Sequence, residues 1–191
     1  MTRGWIAVAA TLLFSPRPCA AADWMVAPLV GTTVRSQTGF VDLDETAGRS
    51  HWIYGVSVMR LSDRVLGIDG EVAIAPSFFT GHQLVQSSRV TTASVSAVLA
   101  LPRRWAPVRP YLAVGAGLVR ASSRDVRNIF PIDSTLPAFN AGAGVLVPIS
   151  GHLAVRVDTT FTRTGNVDSP SAFGGGFIEM WRVAGGVAWV R

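Results

Sequence analysis

The chain has 191 residues, of which 49% are hydrophobic and only 15% are charged, with a formal net charge of +5. About 25% of residues are charged in an average soluble domain, so this composition disfavours a soluble globular protein. Every basic residue is Arg, and most are scattered. Because sequence-independent DNA binding needs a contiguous basic face, we do not expect nucleic acid as a partner.

Residues 1–22 have the pattern of a cleaved secretory signal. Arg3 precedes an apolar stretch over residues 5–14, and the small residues Ala20 to Ala22 end the segment. We predict cleavage just before Asp23. Pro16-Arg17-Pro18 before Cys19, the only cysteine, is untypical of a lipidation site, so the mature chain is expected to have neither a disulfide nor thiolate chemistry.

From residue 24 onward, apolar and small or polar residues alternate, which is typical of strands with two different faces. The segments are 24–35, 51–61, 66–77, 89–101, 110–120, 138–147, 153–163 and a last strand containing 181–189. The third strand is the clearest, because Leu66, Ile68, Val72 and Ile74 alternate with Gly67, Asp69, Glu71 and Ala73. The sequence contains no run of about 18 apolar residues, so it predicts no membrane-spanning helix. An apolar chain of this kind is accommodated in lipid as a closed barrel, with every backbone group paired.

The links between these strands alternate in length. Links 62–65 and 148–152 are short, 102–109 is intermediate, and 36–50, 78–88, 121–137 and 164–176 are long and polar. Outer-membrane barrels have short periplasmic turns and longer outer loops, and an even number of strands returns both termini to the periplasm. The pattern therefore predicts an outer-membrane location.

Six aromatic residues are predicted near strand ends or on outward-facing rows, where they would form girdles at the two membrane interfaces. They are Trp24, Trp52, Tyr54, Phe161, Trp181 and Trp189. On the opposite faces of the same strands, Gly and Ala are frequent. Small inward-facing residues suit the interior of a narrow barrel.

Three sequence runs carry a family resemblance. Residues 108–117 read VRPYLAVGAG, residues 139–145 read FNAGAGV, and residues 153–158 read LAVRVD. The chain resembles the outer-membrane β-barrel domain family, the OmpA/OmpX-like barrels. The resemblance covers residues 23–191 and implies an all-β fold: an eight-stranded antiparallel up-and-down transmembrane β-barrel.

Outer-membrane lipid, meaning lipopolysaccharide and phospholipid, and the barrel assembly machinery are the expected partners. Members of this family usually end in an aromatic residue that helps the assembly machinery to recognise the last strand. This chain ends in Trp189-Val190-Arg191. We expect Trp189 to take that role two residues early.

The sequence predicts no catalytic, cofactor-binding or metal-binding residue. His51 is predicted to open a strand, His82 to lie in an outer loop and His152 in a periplasmic turn, so the three do not converge. A rim catalytic site would need a His, a Ser and a carboxylate together. Ser50 and Ser150 lie near histidines, but at opposite ends of the predicted barrel. We therefore expect a protein that is not an enzyme.

An interior polar network is the one predicted site. Its members are Asp69, Glu71, Arg156, Asp158 and Arg182. Charges inside a narrow barrel are costly unless they are paired, so we expect the acids and arginines to satisfy one another. Asp158 and Arg182 lie on neighbouring strands, and this makes them the expected direct pair.

Three functional hypotheses remain open at this point. The first is a structural or interaction protein that presents its loops outward. The second is a narrow channel or gated pore for ions or small apolar solutes. The third is a soluble periplasmic lipid-binding barrel, in which the apolar rows would point inward and Asp69, Glu71 and Arg156 outward.

Overall fold

The computed structural model describes residues 23–38, 50–61, 65–76, 85–102, 108–125, 132–165 and 177–191. The eight strands are β1 (Asp23–Thr38), β2 (Trp52–Leu61), β3 (Leu66–Pro76), β4 (Val85–Ala100), β5 (Arg109–Asp125), β6 (Ile132–Ser150), β7 (Leu153–Thr164) and β8 (Ile178–Val190). They form a closed antiparallel barrel in which each strand pairs with its sequence neighbours and β8 pairs with β1. The predicted fold class is confirmed. The predicted signal, residues 1–22, lies outside the described residues.

The two faces of the strands differ as the alternation predicts. In β3, Ile68 and Val72 are each 47% exposed, whereas Asp69 between them is only 5% exposed. The other strands repeat this arrangement, with large apolar side chains on the outer surface. The soluble-barrel hypothesis required the reverse and is wrong. In the part of the chain that the structure describes, no helix is long and apolar enough to cross a membrane.

The last strand, β8, closes the barrel by pairing with β1 near both of its ends. Trp24 and Arg191 exchange two backbone hydrogen bonds, of 3.0 and 2.9 Å, and the Val190 amide donates to the His152 carbonyl at 2.8 Å. Near the outer end the β1–β8 register shifts between Thr33 and Arg35. The chain is therefore paired to its final residue, although that residue is not aromatic.

Several strands extend further outward than the sequence pattern predicts. The predicted loop 121–137 is mostly strand, because β5 and β6 remain paired up to Ser123 and Ile132, which leaves 126–131 as the connection. Similarly, β4 begins at Val85 and β1 ends at Thr38. The sequence of these extensions is mostly polar, so the apolar–polar alternation that identifies a strand is weak there.

Outward-facing aromatic residues lie at two levels. Trp24 and Trp189 lie near the periplasmic ends of β1 and β8, and Trp52, Tyr54, Phe139, Phe161 and Trp181 lie towards the outer ends of their strands. Eight residues separate Trp181 from Trp189, which is about 26 Å along a strand. A tilt of about 40° reduces this to a height of about 20 Å, which is on the scale of the apolar band of outer-membrane barrels.

Inward-facing glycines leave room that a side chain would fill. A Cβ placed on Gly115 would meet the Val95 carbonyl oxygen and lie 2.6 Å from the Ser96 Cα. A Cβ on Gly144 would meet the Tyr111 ring and lie 2.8 Å from the Asp158 Cβ. Gly144 therefore makes space for a bulky aromatic ring on the neighbouring strand.

We predict that arginine on the lipid-facing side destabilises the barrel in a depth-dependent manner. Val56 lies midway between Trp52 and Arg60 on β2, so Val56→Arg should lower the free energy of unfolding by about 2–4 kcal/mol. Ile68 pairs with Arg60 near the periplasmic edge, so Ile68→Arg should cost about 0–1 kcal/mol. Urea unfolding in phospholipid vesicles measures both. Equal costs would contradict the placement of these residues in the membrane.

Candidate functional site

The five predicted polar residues lie together inside the barrel. Asp69 and Glu71 point inward from β3, Arg156 and Asp158 from β7, and Arg182 from β8. Their side chains are between 3% and 9% exposed. Because residues two apart on a strand share a face, β3 and β7 each contribute two inward-facing charges to this layer.

Arg156 occupies the centre of this layer. Its Nη2 lies 2.8 Å from Asp69 Oδ2, and its Nε lies 2.7 Å from Asp158 Oδ2. Its Nη1 donates to Ser57 Oγ at 2.5 Å, and that hydroxyl in turn donates to Asp69 Oδ1 at 2.6 Å. One guanidinium thus joins β2, β3 and β7 across the lumen.

Arg182 pairs first with Glu71 and only second with Asp158. Its Nη1 donates to Glu71 Oε1, and its Nη2 donates to Glu71 Oε2 at 2.9 Å. The same Nη2 lies 3.6 Å from Asp158 Oδ1 and donates to Thr160 Oγ1 at 3.2 Å. In the register, Arg182 lies opposite Thr160, and the narrow lumen lets its long side chain reach β3. The sequence-based choice of Asp158 as its direct partner therefore missed the bidentate contact with Glu71.

Neutral side chains that the sequence did not single out complete the layer. Tyr111 Oη donates to Asp158 Oδ2 at 3.2 Å, and its ring lies 5.5 Å from the Arg156 guanidinium carbon. Asn140 Nδ2 donates to Ser96 Oγ at 3.0 Å. Alternation along each strand places all of these residues on the inward face, but it does not predict which charged group each one contacts.

The space around the layer is small. Two cavities of about 20 Å³ each adjoin it, and both are lined by Glu71, Ser94, Asn140, Thr160 and Arg182. A cavity of this size holds about one water molecule. A hydrated ion or an organic substrate does not fit in either.

Apolar side chains fill the barrel above and below the charged layer. The periplasmic cluster consists of Met25, Ala27, Leu29, Met59, Leu61, Val98, Ala100, Tyr111, Leu146, Ala154 and Ala188. The outer cluster consists of Ile53, Ala73, Ala75, Val90, Val119, Ala121, Ile178 and Met180. In the described interior, the charged layer thus lies between two apolar clusters, with buried Arg109 at the periplasmic end and buried Thr33, Ser36, Ser88 and Thr164 towards the outer end.

The described histidines are far from this layer and from each other. His51 pairs through its backbone with Thr33 near the outer end of the barrel. The His152 ring lies 6.3 Å from the Trp189 ring at the periplasmic end. His82 lies outside the described residues. Within the described residues, no group of three or more His, Cys, Asp or Glu side chains could hold a metal ion.

We predict that Arg182 is coupled more strongly to Glu71 than to Asp158. Arg182→Met leaves the Glu71 carboxylate buried without its bidentate partner, which should cost about 3–5 kcal/mol of unfolding free energy. Adding Glu71→Leu should recover part of this loss, and adding Asp158→Leu should recover less. Double-mutant cycles from urea unfolding in vesicles measure both couplings. Additive effects for Arg182 and Glu71 would show that the two side chains do not interact.

Many solved structures share this fold with the chain, among them the following three. Neisserial surface protein A is 14% identical, with 88% of this chain and 98% of that chain covered and a TM-score of 0.65. OprG from Pseudomonas aeruginosa is 12% identical, with coverages of 90% and 97% and a TM-score of 0.62. Ail of Yersinia pestis is 13% identical, with coverages of 89% and 99% and a TM-score of 0.54.

At these identities, the likeness concerns the fold. Comparison with curated protein sequences gave no match. The family model described as "Outer membrane protein beta-barrel domain" matches residues 6–177, which is most of the chain. Together with the lipid-facing apolar surface, this match places the protein in the outer membrane. The chain belongs to the outer-membrane protein β-barrel domain family.

Proposed function

We propose that the protein is a non-conducting barrel that anchors β-structure and loops at the outer surface of the membrane. The observation that supports this role is the filled interior. A solute crossing the barrel would have to pass two apolar clusters and the ion-paired layer between them.

The alternative of a narrow channel has less support. An ion passing either apolar cluster would lose most of its hydration and meet few polar side chains in return, which is unfavourable by several kcal/mol. In the middle layer, Arg156 and Arg182 are each held by several buried contacts. Moving either of them would leave a buried carboxylate unpaired.

The outer ends of the strands support a role at the surface. Strands β4, β5 and β6 continue beyond the level of the outer aromatic residues, and β6 alone extends seven residues outward from Phe139 to Ile132. At about 3.3 Å per residue, this is about 23 Å of strand. The barrel thus extends paired strands of mostly polar sequence beyond its apolar belt, and we propose that they are available for interactions there.

The histidines at opposite ends of the barrel favour a non-enzymatic role. We also propose that the barrel assembly machinery recognises the last strand through Trp189. Its side chain is 59% exposed on the outer surface near the periplasmic end. Because the Arg191 backbone pairs with Trp24, the strand end is fixed and the Trp189 indole lies at the periplasmic edge.

Electrical recording tests the anchoring role. We expect planar bilayers containing the purified, folded protein to conduct no more than protein-free bilayers, because the lumen is filled. A large porin inserted under the same conditions serves as the positive control. Reproducible single-channel steps from the wild-type barrel would overturn the non-conducting role in favour of the channel.

Arginines on the outer rim favour lipopolysaccharide as the lipid partner. Arg89, Arg120 and Arg163 are exposed and face outward, just beyond the apolar belt. Thr91 and Thr135 flank Arg120 in the register. Arg163 also pairs with Glu179 at 3.1 Å. Guanidinium groups at this level would meet the phosphates of lipopolysaccharide, for which arginine is well suited.

We predict that the double variant Arg89→Gln, Arg120→Gln loses stabilisation by lipopolysaccharide. Binding to the folded state raises the unfolding midpoint by mass action, so vesicles that contain lipopolysaccharide should stabilise the wild type more than the variant. Arg60→Gln is the matched control, because Arg60 also faces outward but lies over Trp24 at the periplasmic edge. Stabilisation equal to that of the wild type in the double variant would argue against this partner.

A further inference from the structure

The outer surface of the barrel carries a groove of about 610 Å³ across strands β4 to β8. One bank consists of Leu99, Leu112, Ala143, Thr159 and Val183, which are successive partners in the strand register. The other bank consists of Leu101, Pro110, Val145 and Val157. The groove therefore runs between two rows of outward-facing side chains, perpendicular to the strands.

The floor of the groove is backbone. Ala100, Tyr111, Gly144 and Asp158 line it, although each lies on the inward face of its strand. Their side chains point into the barrel, so they contribute main-chain atoms to the outer surface. On the banks, Thr159 carries the one polar side chain, so the groove offers an almost uniformly apolar surface.

The groove crosses the apolar belt obliquely. It begins at Val65, Leu101 and Pro110, at the periplasmic ends of the barrel strands, and ends at Val183, two residues from Trp181. Four strand spacings of about 4.8 Å give it a length of about 19 Å. A strand tilt of about 40° makes it rise by about 12 Å, roughly half of the apolar band.

We propose that this groove binds one acyl chain of a phospholipid in the periplasmic leaflet. One end of the groove lies at the periplasmic edge, where the head group of such a lipid resides. Its walls are apolar, and it runs obliquely from that edge towards the middle of the membrane, as an acyl chain in the periplasmic leaflet does. This site goes beyond the anchoring role and does not depend on it.

A second copy of the protein fits the groove less well. A neighbouring barrel presents a convex surface, whereas the groove is a concave channel that a thin chain can fill. In addition, the banks supply almost no polar side chain for a hydrogen bond across an interface between proteins. Dispersion contacts with a flexible hydrocarbon chain suit such a surface.

Native mass spectrometry tests the proposal. Folded protein is extracted into mild detergent from vesicles of phosphatidylethanolamine, and the lipid retained per barrel is counted. We expect the wild type to retain one phospholipid. Ala143→Phe, which places a ring in the groove, should lower that occupancy at least about tenfold. Ala116→Phe is the matched control, because Ala116 also faces lipid on β5 but does not line the groove, and it should retain the lipid.

A second variant keeps the test decisive. Val183→Trp blocks the other end of the groove and should also lower the retention of phospholipid. A change in migration on gels between unheated and heated samples shows that each variant is folded. Equal retention by the wild type and both groove variants would overturn the proposal. So would a dimer that Ala143→Phe dissociates, or preferential retention of lipopolysaccharide when it is offered in place of phosphatidylethanolamine.

Discussion

Backbone pairing in lipid is the constraint on which the rest of this structure depends. With no water in the bilayer core, each peptide N–H and C=O needs a partner within the protein. The chain meets this requirement by closing β1 on β8, down to the hydrogen bonds between Trp24 and Arg191. Closure in turn fixes two faces on every strand, so that one set of side chains meets lipid and the other fills a narrow lumen.

The narrow lumen then governs the chemistry inside. Glycines such as Gly144 and Gly115 face it because neighbouring backbone and rings occupy the space of a side chain. The charged groups of the middle layer form a connected set, since Arg156 alone bridges Asp69, Asp158 and Ser57. Apolar clusters on both sides separate these pairs from bulk water, which makes each contact harder to replace.

Alternation along the strands was sufficient to predict the fold and the inward direction of all five charged residues. It could not predict the partner of each charge, because the bond between Arg182 and Glu71 spans the lumen and not a strand pair. The contacts of the Ser57 and Tyr111 hydroxyls with charged residues could not be predicted for the same reason. The outer parts of β5 and β6 were missed because their mostly polar sequence shows little apolar–polar alternation. The groove was missed because it depends on the register of five strands at once.

The contact between Arg182 and Glu71 links residues 111 positions apart in sequence, and one of them lies in the final strand. It can form only when β8 has reached its place in the barrel. If β8 were displaced by one residue, the alternation would turn Arg182 towards lipid and leave Glu71 buried and unpaired. The charged layer therefore makes a barrel closed in the wrong register less stable than the native one, even when every backbone hydrogen bond has been made.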